Sequence, residues 1–316
     1  MNTASEPPST AEHGLAAFLQ RLQWGEIDQG YLSDLALRSK QEDLEGLGLR
    51  SPPSRLGDRT SEALGLTGEG EAALVARESL VVCGQGMIPY LLEQFGGKAV
   101  CDIHHLDGDW VERGSILGKI RGSRVTLLAA ERSVLNFIQR LSGIATITKK
   151  CVDALAGGET ILLDTRKTTP GLRALEKYAV ASGGGWNHRY GLFDRIMIKD
   201  NHLAACGALE GQGLTETAQK AKSGAPDLLV QVEVDRLEQI KPALKAKADA
   251  LLLDNFSLDD LRKALVVIGT VAITEASGGI SLESIPCYAD LGLDFLSTSA
   301  LVGHAAWRDV GLDWLS

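Results

Sequence analysis

The chain has 316 residues, a mass of 33.7 kDa, a net charge of −9 at pH 7 and a pI near 5.3. Its hydrophobic content of 44% and charged content of 23% are those of an ordinary globular protein, which excludes wholesale disorder. The acidic balance excludes nucleic acid or an anionic membrane as the main partner, because both require a basic surface. A local cationic site is compatible with these averages.

The N-terminal sequence MNTASEPPSTAEHG lacks the basic and apolar regions of a secretory signal. No apolar run reaches the roughly 18 residues that span a bilayer. The five cysteines are scattered, odd in number and without CxxC spacing, which disfavours a disulfide framework or a zinc site. We therefore expect buried free thiols and a cytoplasmic protein.

Residues 1 to about 60 predict a fraying tail, a helix over Ala16–Trp24 and a surface connection near Arg50–Gly57. Short runs with β-branched residues then predict strands, and an apolar stretch over Ile88–Phe95 predicts a helix. The predicted strands are Ala73–Val75, Ser79–Cys83, Lys98–Asp102 and Arg124–Leu128, with bends at Asp107–Asp109 and Gly114–Gly118. This pattern is typical of an antiparallel α+β domain.

From Glu131 the apolar spacing becomes that of one face of a long helix. That face consists of Val134, Ile138, Leu141, Ala145, Val152 and Leu155. Strands then alternate with helices, which indicates a parallel α/β sheet or barrel. The predicted strands are Ile161–Leu163, Ile196–Ile198, Leu228–Val234, Ala250–Leu253, Val271–Thr274 and Asp294–Leu296. The predicted helices are Leu172–Ala181, Thr215–Ser223, Leu237–Lys247 and Leu258–Val267.

Nearly every one of these strands is followed by a polar residue, namely Asp164, Lys199, Glu233 with Asp235, Asp254, Glu275 and Ser297. In a (β/α) barrel such residues meet at one mouth, whereas an open doubly wound sheet usually carries a Gly-rich phosphate loop, which this sequence lacks. With six strands, we predict an incomplete α/β barrel over residues 138–302. An N-terminal α+β domain is predicted over residues 1–137, joined by residues 303–316.

The segment from Asp164 to Asp200 contains seven Lys and Arg residues and four acids, a net charge of +3 in an acidic chain. We interpret Arg173, Glu176 and Lys177 as an ordinary solvated helix face, since they are spaced three and four residues apart. The remaining cations should converge at the mouth, which indicates a small polyanionic ligand. These candidates are Arg166, Lys167, His188, Arg189 and Lys199.

Glu233 and Asp254 end the following strands. At a cationic mouth they are candidates for binding hydroxyl groups or Mg²⁺, which prefers a few carboxylates together with substrate phosphate. The loop EASGG, Glu275–Gly279, could direct backbone N–H groups at a phosphate. Phosphate sites in barrels often use these late loops.

Long motifs in this sequence closely resemble the quinolinate phosphoribosyltransferase family, from about Leu106 to the C-terminus and more faintly upstream. The most extensive is DTRKTTPGLRALEKYAVASGGGWNHRYGLFDRIMIKDNH, which begins at Asp164. The others are LDGDWVERGSILGKIRG, ERSVLNFIQRLSGIAT, VEVD, LLLDNF and EASGGIS, in the same order as in the family. One departure is Ser299, where family members often have glycine.

The resemblance implies conversion of quinolinate and phosphoribosyl pyrophosphate to nicotinate mononucleotide, pyrophosphate and CO₂, with Mg²⁺, in NAD biosynthesis. It also implies an N-terminal open sandwich, an incomplete barrel, and a homodimer or higher oligomer with shared active sites. By position, the quinolinate site comprises Arg166, His188, Arg189 and Lys199, with Arg132 entering from the partner subunit. The phosphoribosyl pyrophosphate side comprises Lys167, Glu233, Asp254, Ser277, Gly278 and Gly279. Lys167, Lys199, Glu233 and Asp254 are expected to be catalytic, and the two carboxylates to contact the metal indirectly.

Three alternatives are open at this point. A paralogous phosphoribosyltransferase would act on another heteroaromatic acid, such as nicotinate. A barrel that binds a phosphorylated ligand without turnover would have little use for Glu233 and Asp254. An aldolase would use Lys199 as a Schiff-base nucleophile.

Overall fold

A computed structural model describes residues 14–51, 53–155 and 158–315. The fraying expected for the first residues lies outside this described part. The chain divides into two compact units. The first contains the described residues up to Arg21 together with Lys150–Pro170 and Gly185–His304. The second contains Leu22–Lys149, Gly171–Gly184 and the described residues from Ala305 onward.

The strands are β1 (Glu69–Ala76), β2 (Leu80–Val81), β3 (Val100–Ile103), β4 (Trp110–Val111), β5 (Ile116–Ser123), β6 (Ile161–Leu163), β7 (Ile196–Ile198), β8 (Val230–Val234), β9 (Ala250–Asp254), β10 (Ile273–Ser277), β11 (Phe295–Ser297) and β12 (Val310–Trp314). The helices are α1 (Gln29–Glu45), α2 (Arg59–Ala63), α3 (Met87–Phe95), α4 (Arg124–Ala154), α5 (Arg173–Ser182), α6 (Asp200–Ala205), α7 (Gly211–Gly224), α8 (Ile240–Lys245), α9 (Leu258–Ile268) and α10 (Ala300–Gly303). Short 3₁₀ turns lie at Leu15–Phe18, Trp24–Glu26, Leu237–Gln239 and Ile285–Cys287.

The second unit is built on an antiparallel sheet in the order β12-β1-β5-β3, beside a separate β2-β4 pair. This confirms the α+β class of the N-terminal part. The strand predicted over Arg124–Leu128 is wrong, because these residues form the first turns of α4. The prediction also missed β5, because the glycines at its start led us to expect a bend over Gly114–Gly118. In β5 a Cβ at Gly118 would lie 2.6 Å from the carbonyl oxygen of Asp102, so glycine is required for close strand pairing.

The first 50 residues contain the largest errors of prediction. The helix expected over Ala16–Trp24 does not form; two short turns and a bridge between Gln20 and Asn187 occupy this part. Downstream, residues Gln29–Glu45 form α1, although no helix was predicted in this largely polar segment. It begins at the cap Asp28, whose side chain accepts from the N–H of Tyr31 at 2.8 Å, and it ends at Gly46 in the left-handed region.

The first unit is a six-stranded parallel sheet in the order β6-β11-β10-β9-β8-β7. Its helices follow the strands in the alternation that the sequence predicted. Strands β6 and β7 are consecutive in the chain but lie at opposite edges of this sheet, which is not closed into a barrel. The predicted incomplete barrel of six strands is therefore confirmed.

The first unit contains a buried apolar cluster formed by the N-terminal turn and residues of the parallel strands. Phe18 is buried, and its ring centroid lies 6.2 Å from that of Phe295 on β11. Leu15, Leu163 and Ala250 complete the buried part of this cluster. The N-terminal turn thus contributes to the core, as expected from the strong driving force for aromatic burial.

Charged residues of α5 are buried, contrary to the predicted solvated face. Glu176 is 0% exposed and Lys177 is 1% exposed. A guanidinium nitrogen of Arg140 donates to Glu176 Oε1 at 2.8 Å, so the buried carboxylate is paired within the second unit. The prediction failed because a spacing of three and four residues describes a helix face but does not say whether that face is covered.

All five cysteines are free, as expected, but only Cys83 and Cys151 are buried; Cys206 and Cys287 are exposed. In the described residues, no helix combines the length and apolar character needed to cross a bilayer.

Candidate active site

The carboxyl ends of the six parallel strands lie at one edge of the sheet in the first unit, and the predicted polar residues follow them there. The strand register places Asp254, the last residue of β9, beside Ser277, the last residue of β10. Lys199 directly follows β7, and Glu233 lies near the end of the neighbouring strand β8. Parallel pairing therefore brings together residues that are far apart in sequence.

Lys199 and Glu233 form an ion pair at this edge, between Nζ and Oε2. The side chain of Lys199 is 41% exposed and that of Glu233 is 12% exposed, so the pair lies at the surface of the site with its carboxylate turned inward. The amine of Lys199 is engaged by this carboxylate and is not presented as a free nucleophile, which disfavours a Schiff-base role. The aldolase alternative is accordingly not favoured.

Arg189 is the most buried cation among the predicted site residues, at 4% exposure. Its Nη1 donates to the backbone carbonyl oxygen of Arg195 at 3.0 Å. Burial lowers the pKa of Arg189, and the positive charges of Arg166 and Arg195 lower it further, against smaller opposing effects of Asp194 and Glu233. Arg166, Arg189 and Glu233 are thus close enough to interact, and the excess of positive charge favours an anionic ligand.

Asp164 anchors the segment that carries His188 and Arg189. It is 1% exposed, and its carboxylate accepts from Asn187 Nδ2 at 2.9 Å and from the backbone N–H of His188 at 2.7 Å. Trp186 also bridges to Leu163 at the end of β6. The end of β6 and the segment that follows the triple glycine, which are separated in sequence by α5, are thereby connected at one place.

A buried polar cluster lies beneath this edge: Glu275, expected to follow a strand at the mouth, instead lies within β10, and its partner Gln231 was not predicted as part of the site. Glu275 of β10 and Gln231 of β8 are both 0% exposed, and Gln231 Nε2 donates to Glu275 Oε2 at 2.6 Å. Burial alone raises the pKa of Glu275, but His188, Ser297 and Gln231 together hold it at about 2. The signal in the sequence is a polar residue within an otherwise apolar buried strand, such as Gln231 in VQVEV.

Ser277 ends β10, and Gly278 and Gly279 begin the loop that follows it. Gly278 has φ of +102° and Gly279 has φ of +61°. A Cβ at Gly278 would lie 2.2 Å from Asn255 Oδ1, whereas a Cβ at Gly279 would have no neighbour within 4 Å. The side chain of Asn255 in turn donates to Asp254 Oδ2 at 2.8 Å, so this loop and the carboxylate of Asp254 are structurally connected.

These two glycines give a matched pair of variants. Gly278→Ala should weaken the binding of a phosphorylated ligand by about tenfold or more, because the added Cβ would displace Asn255 and with it the carboxylate of Asp254. Gly279→Ala also places a side chain at positive φ but meets no clash, so it should have the smaller effect. Titration of both variants with inorganic pyrophosphate provides the measurement. Equal affinities of the two variants would contradict the importance of this contact.

The two remaining predicted residues are exposed. Lys167 lies in the loop after β6, where its backbone N–H donates to Thr165 Oγ1 at 3.0 Å. Arg132 lies on α4 in the second unit. The loop from Asp164 continues to the start of α5 at Arg173.

Comparison with known families identifies the two parts of this architecture. The family described as "Quinolinate phosphoribosyl transferase, C-terminal domain" matches residues 144–313. Its N-terminal counterpart, "Quinolinate phosphoribosyl transferase, N-terminal domain", matches residues 58–142. The chain belongs to the quinolinate phosphoribosyltransferase family.

Individual relatives support this assignment over most of the chain. A probable nicotinate-nucleotide pyrophosphorylase [carboxylating] of Bacillus subtilis is 40% identical over 258 residues, covering 81% of this chain and 88% of the relative. A mitochondrial quinolinate phosphoribosyltransferase [decarboxylating] of Nicotiana glauca is 35% identical over 282 residues, covering 84% and 80%. The solved nicotinate-nucleotide pyrophosphorylase from Francisella tularensis has a TM-score of 0.84 at 34% identity and covers 94% of this chain and 99% of its own.

In this member of the family, the departure at Ser299 is accommodated by the backbone. Ser299 precedes α10 with φ of −80°, a conformation that any L-residue adopts. Its carbonyl oxygen accepts from the N–H of Gly303 at 2.8 Å. Glycine is therefore not required at this position by backbone geometry.

Proposed function

We propose that this chain catalyses phosphoribosyl transfer from phosphoribosyl pyrophosphate to quinolinate with loss of CO₂, giving nicotinate mononucleotide and pyrophosphate in de novo NAD biosynthesis. Family membership supports the reaction type. The observation that carries the substrate assignment is the burial of Arg189 beside the charges of Arg166 and Arg195. Several cations in a partly dehydrated site are stabilised by a ligand with more than one negative group.

On the quinolinate side, we propose that Arg166, His188, Arg189 and Lys199 form the site for the two adjacent carboxylates, with Arg132 contributed by a partner subunit. Arginine suits carboxylates because its planar fork can donate two parallel hydrogen bonds. The ion pair between Lys199 and Glu233 supports a place for Lys199 at the boundary between the two substrates.

On the phosphoribosyl pyrophosphate side, we propose Lys167, Glu233, Asp254 and the loop Ser277–Gly279. The residues fit Mg²⁺, because Glu233 and Asp254 offer carboxylate oxygens from neighbouring strands, and Mg²⁺ commonly takes one or two carboxylates together with water and substrate phosphates. Among the described residues no group of three or more His, Cys, Asp or Glu side chains could hold a metal unaided. When bound, Mg²⁺ would neutralise charge on the departing pyrophosphate.

The chemistry assigns separate tasks to these residues. As the bond from the anomeric carbon to pyrophosphate breaks and the bond to the pyridine nitrogen forms, positive charge develops on the ribose, which carboxylates such as Glu233 and Asp254 stabilise. The bond to the 2-carboxylate then breaks, CO₂ leaves, and the electron pair stays at C2, stabilised by the quaternised ring nitrogen until a proton replaces it. The enzyme's main contribution is orientation and charge stabilisation.

A side-by-side assay with quinolinate and nicotinate tests the proposal. With phosphoribosyl pyrophosphate and Mg²⁺, we expect quinolinate to react with release of CO₂ and pyrophosphate. Turnover of nicotinate should be lower by about 100-fold or more, because nicotinate lacks the second carboxylate and leaves buried cations of the site without a counter-charge. Turnover of nicotinate at the rate of quinolinate would instead favour a paralogous specificity. No turnover of quinolinate by folded protein would refute the function.

We also propose a homodimer or higher oligomer in which Arg132 serves the neighbouring active site. Arg132→Ala and Lys199→Ala should each be nearly inactive, yet a mixture after subunit exchange should recover about a quarter of the wild-type activity, because half of the dimers then hold one intact site. A mixture of Arg166→Ala and Lys199→Ala is the control, since both changes fall in the same site. Recovery no greater than in this control, with exchange verified, would mean that Arg132 acts in its own subunit.

For location we propose the cytoplasm. The support is that all five cysteines are free, which suits a reducing compartment. Relatives in plants include mitochondrial and chloroplastic proteins by name. Fractionation of the source cells with an antibody to this chain tests the location.

A further inference from the structure

Both ring nitrogens of His188 face protein groups. Nδ1 accepts from the backbone N–H of Arg189 at 2.7 Å, and Nε2 lies 3.3 Å from Oε2 of Glu275. A ring nitrogen that accepts a hydrogen bond carries no proton, so the ring proton resides on Nε2, the nitrogen nearer to Glu275. The contact between Nε2 and Glu275 is close but does not have the geometry of a hydrogen bond. The imidazole therefore connects the carboxylate of Glu275 with the backbone of Arg189.

Glu275 is too deeply buried to serve as a ligand-binding group at the surface of the site. It is 0% exposed, and the same oxygen that faces His188 also accepts from Gln231 Nε2 at 2.6 Å. Burial of an ionised carboxylate is costly and is retained where hydrogen bonds compensate for the lost water. The direction of these bonds gives the carboxylate a fixed orientation toward His188.

Arg189 is held at two points. Its backbone N–H is bound by the imidazole of His188, and its guanidinium donates to the carbonyl oxygen of Arg195 at 3.0 Å. A side chain fixed at both ends loses little conformational entropy when it binds a carboxylate. Rotation of the imidazole would release the first of these points.

We propose that Glu275 is a positioning residue for quinolinate: its carboxylate, 3.3 Å from Nε2, attracts the Nε2–H of His188, and Nδ1 of His188 holds the backbone that presents Arg189. This inference rests on the proposed function. It means that Glu275 affects quinolinate binding without touching the substrate.

Two substitutions at position 275 test the contact between Glu275 and His188. Glu275→Met removes the acceptor at similar length, and should raise the KM for quinolinate by about 10- to 100-fold while the KM for phosphoribosyl pyrophosphate changes little. Glu275→Gln retains an acceptor oxygen and should restore most of the quinolinate affinity. Asp294→Ala is the control for stability, because Asp294 accepts from the N–H and Oγ1 of Thr274 near the amino-terminal end of β10, away from the strand ends that carry the site.

An equal rise in both KM values for Glu275→Met, or a quinolinate KM no different from that of Asp294→Ala, would overturn the proposal. A measurement on the wild type covers the case in which Glu275→Met fails to fold. In ¹⁵N-histidine-labelled protein, with the His188 signal identified by its loss in His188→Gln, Nε2 should be protonated and Nδ1 unprotonated; a proton on Nδ1 would refute the arrangement. The ring spectrum does not depend on turnover, so wild type that fails to consume quinolinate would refute the proposed function separately.

Discussion

Replacing Arg189 by methionine should lower the affinity for quinolinate about 100-fold or more, because truncating one partner of a buried charged contact costs about 2–5 kcal/mol. Methionine fills much of the same volume, so the change removes charge and hydrogen bonds more than packing. Affinity for phosphoribosyl pyrophosphate should change much less, since Arg189 is proposed to bind the carboxylates of quinolinate. The expected effect follows directly from the crowding of positive charge around a guanidinium that is only 4% exposed.

Calorimetric titration with quinolinate measures this effect without relying on catalysis. The ligand-induced rise in melting temperature gives a second measurement, because a ligand that binds only the folded state stabilises it more when its affinity is higher. Arg262→Met is the matched control: Arg262 pairs with Asp259 on the exposed side of α9. If Arg189→Met bound quinolinate like the wild type, the carboxylate site would lie elsewhere.

Glu233→Gln should lower kcat by about 10²- to 10³-fold, the usual effect of removing one group that stabilises transition-state charge. The carboxylate of Glu233 is mostly buried and is paired with Lys199. In the amide variant that ion pair is lost, and one of the two carboxylates proposed to stabilise the ribose no longer carries a negative charge as pyrophosphate departs. The KM for quinolinate should change less than kcat, because the effect belongs to the transition state.

Single-turnover kinetics with saturating substrates separate this chemical step from product release. Glu238→Gln is the control, since Glu238 is exposed in the 3₁₀ turn that follows β8 and undergoes the same change of charge. The double variant Lys199→Met with Glu233→Gln shows whether the two residues act as a unit. A kcat for Glu233→Gln close to that of Glu238→Gln would exclude Glu233 from the chemical step.

The sheet of the first unit was largely predictable because buried parallel strands are short apolar runs between turns. Even in this sheet the predicted strand boundaries differ from the observed ones: β10 was expected over Val271–Thr274 and is found at Ile273–Ser277. In the second unit, local composition was misleading. The β-branched residues after Arg124 begin a long helix, and α1 buries only Leu32 and Ala36, so its sequence carries little apolar periodicity. Its caps at Asp28 and Gly46 were the available signals.

For the candidate site, the sequence predicted which residues follow the strand ends, because chain order alone determines that. It could not predict the buried layer beneath them. Gln231 and Glu275 lie on strands separated by β9 and meet only through side chains inside the sheet. Such contacts depend on strand order and register, which a single sequence does not give.

The order of strands in the first unit has a consequence for how the protein folds. The four strands after β7 can each join the preceding one as the chain is made, but β6 pairs with β11, more than 130 positions later in the chain. Closure of so long a loop is slow compared with local pairing. Arg166 lies three residues after the end of β6, so its final position depends on this late pairing. In refolding experiments, the capacity to bind quinolinate should therefore appear after most of the helical signal has been regained.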